Sequence, residues 1–350
     1  MNDATDNIIV DTATRIFRDL CAPATVNDAE SGVWPSALWD ALEESGLPLA
    51  WVPEELGGAG AAMADGFAVL RAAGRFAVPA PLAETLMAGW LLARAGIEMP
   101  AGPMTIAPVH ADGNIGLTGD GTLRGHARRV PFARNAVHIA VLARRGDERV
   151  VTLVAAAGLP TAHDKSLAGE PRDTVTFDGA VPVAVRPASV DEDMIQRLGA
   201  AVRLQQMAGA LETILEQSVQ WALDRSQFGR PIAKFQAVQH NLATLAGEVA
   251  AAGAAADLAA EACAGADLGA AGVAIAKVRA GEAAGAGAAI AHQVHGAMGF
   301  TYEHTLHHAT RRLWSWREEF GNEAVWATRL GRMVAAQGAD RLWPFITEDI

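Results

Sequence analysis

The sequence predicts a mainly helical protein in which a small β domain separates two helical regions. Three observations predict it. Apolar residues recur close to a 3.6-residue period up to about residue 100, and again from about residue 190 to the end. Between residues 101 and 189 that period disappears, and short apolar runs alternate with turn residues. Of 350 residues, 51% are hydrophobic and only 19% charged, the reverse of the balance that keeps a chain disordered. The expected domains are therefore 1–100, 101–189 and 190–350.

In the first domain, residues 6–20 carry Ile8, Ile9, Ala13, Ile16, Phe17 and Leu20 at helical spacing. A second helix is expected over 35–45, with Pro35 near its start and Gly46 past its end. Residues 51–60 hold Pro53, Gly57, Gly58 and Gly60 and read as a loop. Helices over 65–76 and 81–95 follow, closed by Gly74-Arg75 and by Gly96.

In the second domain, strands are expected over 105–109, 137–143, 149–155 and 174–177. Gly113-Asn114, Asp120-Gly121, Gly146-Asp147 and Asp178-Gly179 flank them, which suits a short antiparallel sheet or barrel. In the third, helices over 191–224, 234–263, 268–296 and 305–335 with short connections describe an antiparallel four-helix bundle.

A net charge of -12 argues against a nucleic-acid partner, because phosphate binding needs a basic surface. Cys21 and Cys263 give neither a disulfide framework nor a thiolate metal cage, so a reducing, cytoplasmic location is expected. The acidic first six residues lack the basic and apolar regions of a signal peptide. The most apolar stretch, 246–291, is mostly Ala and Gly and is interrupted by charges such as Glu248, Asp257 and Lys277, so no membrane insertion is expected.

Three constellations carry candidate chemistry. Arg225-Ser226-Gln227-Phe228-Gly229-Arg230-Pro231-Ile232, followed by Phe235-Gln236-Ala237-Val238-Gln239-His240, puts two guanidinium groups, amides and a flat ring on a turn. Guanidinium binds phosphate bidentately and a ring can stack on a base; the plainer alternative is a loop of solvated arginines. His292-Gln293-Val294-His295-Gly296-Ala297-Met298-Gly299-Phe300 ends a helix in glycines that let a phosphate or adenine approach, but lacks the preceding strand of a Rossmann fingerprint. Five of the ten histidines fall between His292 and His308. His304 and His308 would share a helical face, yet no third ligand is evident and no metal site is expected. In the tail, Glu318 and Glu319 offer a general base or simply solvated helix charges.

Together these segments resemble the acyl-CoA dehydrogenase family over nearly the whole chain. The run Leu38-Trp39, Glu43-Glu44-Ser45-Gly46-Leu47 and Val52-Pro53-Glu54-Glu55-Leu56-Gly57-Gly58-Ala59-Gly60 is similar to its first helical domain. Gly74-Arg75 and Pro79-Ala80-Pro81-Leu82-Ala83-Glu84-Thr85 resemble bacterial members. The 225–232 and 235–240 motifs and Gln293 to Thr301 are the most specific matches. The resemblance implies FAD and the oxidation of an acyl-CoA thioester to its trans-2-enoyl form, a glutamate taking the α proton and flavin N5 the β hydride. It also implies that Arg225, Gln227, Phe228, Gln236, Gln293 and Gly296 reach the pyrophosphate and adenine of FAD held by a neighbouring subunit.

The chain departs from the family pattern in three places. No counterpart is found of the strand and Gly-Ser-Asp tail that hold flavin and substrate. The stretch expected beside the flavin falls at Val130-Pro131-Phe132-Ala133-Arg134 and does not restore its motif. The usual base position falls on Phe320, and the alternative position used by some members falls on Ser226; neither can act as a base at neutral pH. The reading ranked first is a subunit that lends the ADP-binding half of a FAD site to an unlike acyl-CoA dehydrogenase subunit, as in some bacterial members that degrade steroids or dicarboxylic acids. A self-sufficient dimer or tetramer with Glu319 as a shifted base ranks second, and a helical scaffold that has lost FAD third. An electron-transfer flavoprotein is the candidate electron acceptor.

Overall fold

The structure is a computed structural model that describes residues 8–107, 114–265 and 268–347. Asp6 at the expected start of the first helix, Val109 at the expected end of the first strand and the turn residue Gly113 lie outside the described residues. The chain forms two compact units, one of Met1–Leu70 with Val78–Gly199, the other of Arg71–Ala77 with Ala200–Ile350.

The first unit opens with α1 (Ile8–Leu20), α2 (Pro23–Glu30) and α3 (Ser36–Glu44). α2 was not expected from the sequence, because its only buried residue is Val26 and it has almost no apolar periodicity. Then come α4 (Met63–Arg75), whose last residues belong to the second unit, and α5 (Leu82–Arg94), apolar on nearly every face and buried from Leu82 to Leu92. The loop before α4 is folded tightly around Trp51, which meets Phe67 edge-on at 5.1 Å. A side chain at Gly66 would strike the Trp51 indole, and one at Gly58 the carbonyl of Val52.

The strands are β1 (Met104–Ala107), β2 (Gly116–Leu117), β3 (Leu123–Arg124), β4 (His126–Pro131), β5 (His138–Arg145), β6 (Glu148–Ala155), β7 (Thr161–Ala162), β8 (Arg172–Thr176) and β9 (Ala184–Pro187). One sheet runs β3-β2-β5-β6-β9, with β1 also on β5; a second runs β4-β8-β7. Most pairings are antiparallel, with β5 and β6 in register from His138↔Ala155 to Arg145↔Glu148. The purely antiparallel expectation is corrected at one edge: β1 and β2 both run parallel to β5. The reason is connection length, since β5 follows β1 through the whole β2–β4 excursion and not through a hairpin. Thr85 Oγ1 docks α5 on β1, accepting from Met104 N and donating to Met104 O, each at 3.1 Å. The core of the β region is Val130, Ile139, Val141, Val150, Val154, Val175 and Phe177.

The second unit is a helical bundle. α6 (Glu192–Asp224) enters it, the short strands β10 (Ser226–Gln227) and β11 (Arg230–Pro231) follow, then α7 (Gln236–Ala262) and α8 (Ala270–His295). The Ala- and Gly-rich sequence is a packing device. A side chain at Gly287 would meet Leu211 at 2.9 Å and Leu245 at 3.3 Å, and one at Gly209 would meet the carbonyl of Arg71 at 2.0 Å. Gln205 Nε2 donates to the Ala256 carbonyl at 2.7 Å and ties α6 to α7. Arg71 and Arg75, at the end of α4, share Glu212 on α6. Contrary to the sequence expectation, α7 is long and apolar enough by composition to cross a membrane. Its hydropathy comes from alanine, and it packs in this bundle through Leu245, Val249, Ala252 and Ala256.

The expected fourth bundle helix, 305–335, is two helices: α9 (Leu306–Glu318) and α10 (Glu323–Gln337), before a short α11 (Leu342–Thr347). Phe320 (φ +54°) and Gly321 (φ +93°) leave helical conformation, and Asn322 restarts it by accepting from Val325 N at 3.2 Å.

Candidate functional site

Two candidate cofactor segments lie in the second unit. β10 and β11 form a two-residue hairpin, pairing Ser226 with Pro231 and Gln227 with Arg230. Its central residues, Phe228 (φ +53°) and Gly229 (φ +76°), both sit in the left-handed region that such turns require. Glycine adopts it freely; phenylalanine does so under strain. Phe228 nonetheless remains 93% exposed, touching Phe235 edge-on at 6.1 Å. Arg230 lies over the Phe235 ring at 4.4 Å. Arg225, Ser226, Gln227 and Gln236 are exposed, and among the described residues no acceptor engages the Arg225 guanidinium.

The second segment ends α8. Gln293 and Gly296 are exposed. Gly296 has φ +61° and ψ -144°, a conformation for which glycine is suited, and a side chain built on it would meet nothing within 4 Å. Gly299 is different: a side chain there would meet His295 Cβ and Leu306 at 3.0 Å and His292 Nδ1 at 3.1 Å, so this glycine serves packing and not ligand approach.

Aromatic rings bring the two segments together. Trp221, on the last turn of α6, stacks on His295 with centroids 5.3 Å apart and planes 20° from parallel. His304 meets Trp221 edge-on at 5.5 Å and His295 at 4.7 Å. His292 is in turn stacked between Phe300 (4.2 Å) and Trp314 (5.6 Å). Burial holds these imidazoles neutral: it lowers His295 to about 4 and His308 to about 3, and lowers His292 and His304 as well, with neighbouring histidines adding to the effect. His304 lies in the turn before α9, so it and His308 do not form the helical pair that the sequence suggested.

The candidate base region is the α9–α10 break. Glu319 is buried, and its Oε2 accepts from Arg203 Nε on α6 at 2.8 Å. Phe320 is buried too, its ring 6.0 Å from the Arg203 guanidinium carbon, and its carbonyl accepts from Trp326 Nε1 at 2.9 Å. Lys277 on α8, fully buried, donates to the carbonyls of Trp316 (3.1 Å) and Arg317 (2.8 Å), the last turn of α9. Burial lowers the Lys277 ammonium to about 8, opposed by Glu323, Glu319 and Glu318. Sequence reasoning missed Lys277; an isolated lysine in an Ala-Gly helix was its only signal.

In the first unit, the stretch that the resemblance places beside the flavin carries salt bridges instead. Phe132 turns left-handed (φ +51°) and is buried. Arg134 binds the buried Asp173 through its backbone N at 2.9 Å and its Nε at 3.1 Å. Arg172 pairs with Glu170 at 2.8 Å, and both are buried.

Comparison with known proteins agrees with this architecture. Residues 195–335 match the model of the acyl-CoA dehydrogenase C-terminal domain, and residues 3–99 that of the N-terminal domain. The chain is 31% identical over 300 residues to acyl-CoA dehydrogenase IpdE2 of Mycobacterium tuberculosis, covering 85% of this chain and 87% of that one. It is 30% identical to acyl-CoA dehydrogenase FadE34 of the same organism, where 92% of this chain spans only 46% of the relative. Among solved structures, the ChsE4-ChsE5 complex of Mycobacterium tuberculosis has a chain of the same fold, with a TM-score of 0.84, 24% identity, and 97% and 100% of the two chains covered. Butyryl-CoA dehydrogenase from Megasphaera elsdenii also shares the fold, with a TM-score of 0.83, 18% identity, and 96% and 100% covered.

Proposed function

The chain belongs to the acyl-CoA dehydrogenase family of FAD-dependent oxidoreductases, and on that footing we propose that it is the subunit of an unlike pair that lends the ADP-binding half of a FAD site. The observation that carries this reading is the uneven state of its residues. The hairpin and the Gln293–Gly296 segment offer unengaged groups, whereas the acidic group nearest the expected base position is closed in an ion pair with Arg203.

The donor set fits the ADP half of FAD. Arg225 supplies a guanidinium for pyrophosphate, and Arg230 adds positive charge at the same turn. The exposed Phe228 ring offers a stacking face for adenine, which gives its strained backbone a purpose. Gln227, Gln236 and Gln293 supply amides, and the open space over Gly296 admits a phosphate or ring close to the backbone. FAD, when bound, supplies the hydride acceptor for dehydrogenation between the α and β carbons of an acyl-CoA thioester. Taking the α proton requires a carboxylate that Phe320 and Ser226 do not provide and that Glu319 provides only by leaving Arg203. In this reading the partner supplies the base and the flavin-side contacts.

Two relatives support the unlike pair. FadE34 carries, beside the part similar to this chain, a further stretch of about equal length in one polypeptide. The ChsE4-ChsE5 structure is a complex of two differently named chains. The test is the flavin content of this chain purified alone and purified with the product of an adjacent acyl-CoA dehydrogenase-like gene. The reading expects flavin in the complex only; stoichiometric FAD in the chain alone would favour a homo-oligomer with Glu319 as base.

A further inference from the structure

We propose that His295 is a positioning residue, its ring holding the Arg225–Pro231 hairpin and the Gln293–Gly296 segment at the spacing a dinucleotide requires. The inference rests on the reading of those two segments as FAD contacts.

Chain connectivity couples the rings to the two segments. Trp221 is four residues before Arg225, and Ile232 N closes the hairpin on the Arg225 carbonyl at 2.8 Å, so the indole and the hairpin move together. His295 directly precedes Gly296. Face-to-face contact between these two rings therefore joins the end of α6 to the end of α8 immediately beneath both candidate segments. His304, from the turn before α9, closes a three-ring cluster by meeting both rings edge-on. Such pairs add specific geometry to the apolar area that they bury.

The His295 ring is fixed in orientation. Its Nδ1 lies 2.8 Å from the Ala291 carbonyl and donates to it, which leaves Nε2 as a bare acceptor, buried and without a hydrogen-bond partner among the described residues. That arrangement holds only for a neutral ring. The titratable groups acting on it are His304, across the cluster, and His292, one turn back on α8; both oppose a second positive charge, and among the described residues no carboxylate acts on it. Protonation of Nε2 would place a cation against the indole with no acceptor to receive its proton.

The test is amide hydrogen exchange on the folded chain without flavin, compared between wild type and two variants, together with FAD affinity in the assembled complex. His295→Ala should speed exchange about tenfold in both the hairpin and the 295–300 segment, the scale expected for losing two ring pairs, while the Leu245–Ala259 part of α7 keeps its protection. It should also weaken FAD retention. His295→Phe keeps the ring but cannot be protonated. After correction for intrinsic rates, exchange in the two segments should rise in wild type as pH falls from 6.5 towards about 4, and this rise should be displaced to lower pH in His295→Phe. Unchanged exchange in either segment of His295→Ala, or an identical acid rise in His295→Phe, overturns the proposal. Failure of the underlying cofactor reading is recognised separately, by Arg225→Ala leaving FAD affinity unchanged, because the exchange measurement contains no flavin.

Discussion

Arg203 Nε stands 2.8 Å from Glu319 Oε2, with side chains only 3% and 9% exposed, and this ion pair fastens the α9–α10 break to α6. A carboxylate so held balances a buried guanidinium. Removing it takes a counter-ion from that charge, and breaking a buried pair costs about 3–5 kcal/mol. Glu319→Ala should therefore lower the urea midpoint sharply, and Glu319→Gln less, because the amide oxygen still accepts a hydrogen bond. Equal, small effects from both variants would show that the pair contributes little.

Lys277 gives an alkaline signature. Its ammonium titrates at about 8 in the folded chain against an ordinary 10.5, so between those values the unfolded chain binds the extra proton. Stability should rise with pH from about 8 towards 10.5, as the buried charge is relieved. The slope of denaturation midpoint against pH should disappear in Lys277→Met. A wild-type slope that is flat or negative across this window would contradict the assignment.

The buried histidines act at the other end of the scale. His308 takes a proton in the folded chain only near pH 3, whereas the unfolded chain takes it near 6.5. Stability should fall as pH drops below 6.5, since the unfolded state then binds more protons. In denaturation experiments between pH 6.5 and 5, above most carboxylate titration, His308→Leu should reduce this loss. An undiminished loss would assign the acid sensitivity to other groups.

Arg225 has no competing partner among the described residues, so its guanidinium is available to pyrophosphate. Arg225→Ala should weaken FAD retention in the assembled protein by roughly 1.5–3 kcal/mol, the scale of a hydrogen bond to a charged group. Its thermal stability without flavin should be unchanged. Equilibrium dialysis of flavin against the complex reads the first quantity and a melting curve the second.

Much of this molecule was legible in its sequence because local chemistry decided it. Gly46, Gly96 and Gly296 closed helices as read, and the turn expected from Gly229 and Pro231 is present, tightened into a hairpin between strands of only two residues each. Most of what escaped depended on partners distant in sequence. The α9–α10 break is the local exception: Gly321 and Asn322 mark it, Phe320 and Gly321 take positive φ there, and Trp326 Nε1 caps the Phe320 carbonyl. The parallel pairing of β1 and β2 with β5 is a matter of topology, to which period-2 alternation is blind. Glu319 looked like a solvated or catalytic carboxylate until Arg203, 116 residues earlier, supplied its partner. The stacking of Trp221 on His295 likewise joins residues that no local pattern relates.

Whether this chain carries its own base is decided by an acyl-CoA-dependent dye-reduction assay on this chain alone, on the chain with an unlike acyl-CoA dehydrogenase subunit, and on both with Glu319→Gln. Loss of a general base costs about 10²–10⁴-fold in rate, so the outcomes separate cleanly. A subunit that borrows its base should show little or no turnover alone, turnover in the mixed complex, and no loss of that order in Glu319→Gln once the complex has formed. Robust turnover by the isolated chain, abolished in Glu319→Gln while FAD stays bound, would contradict it and establish a complete enzyme whose base opens from Arg203.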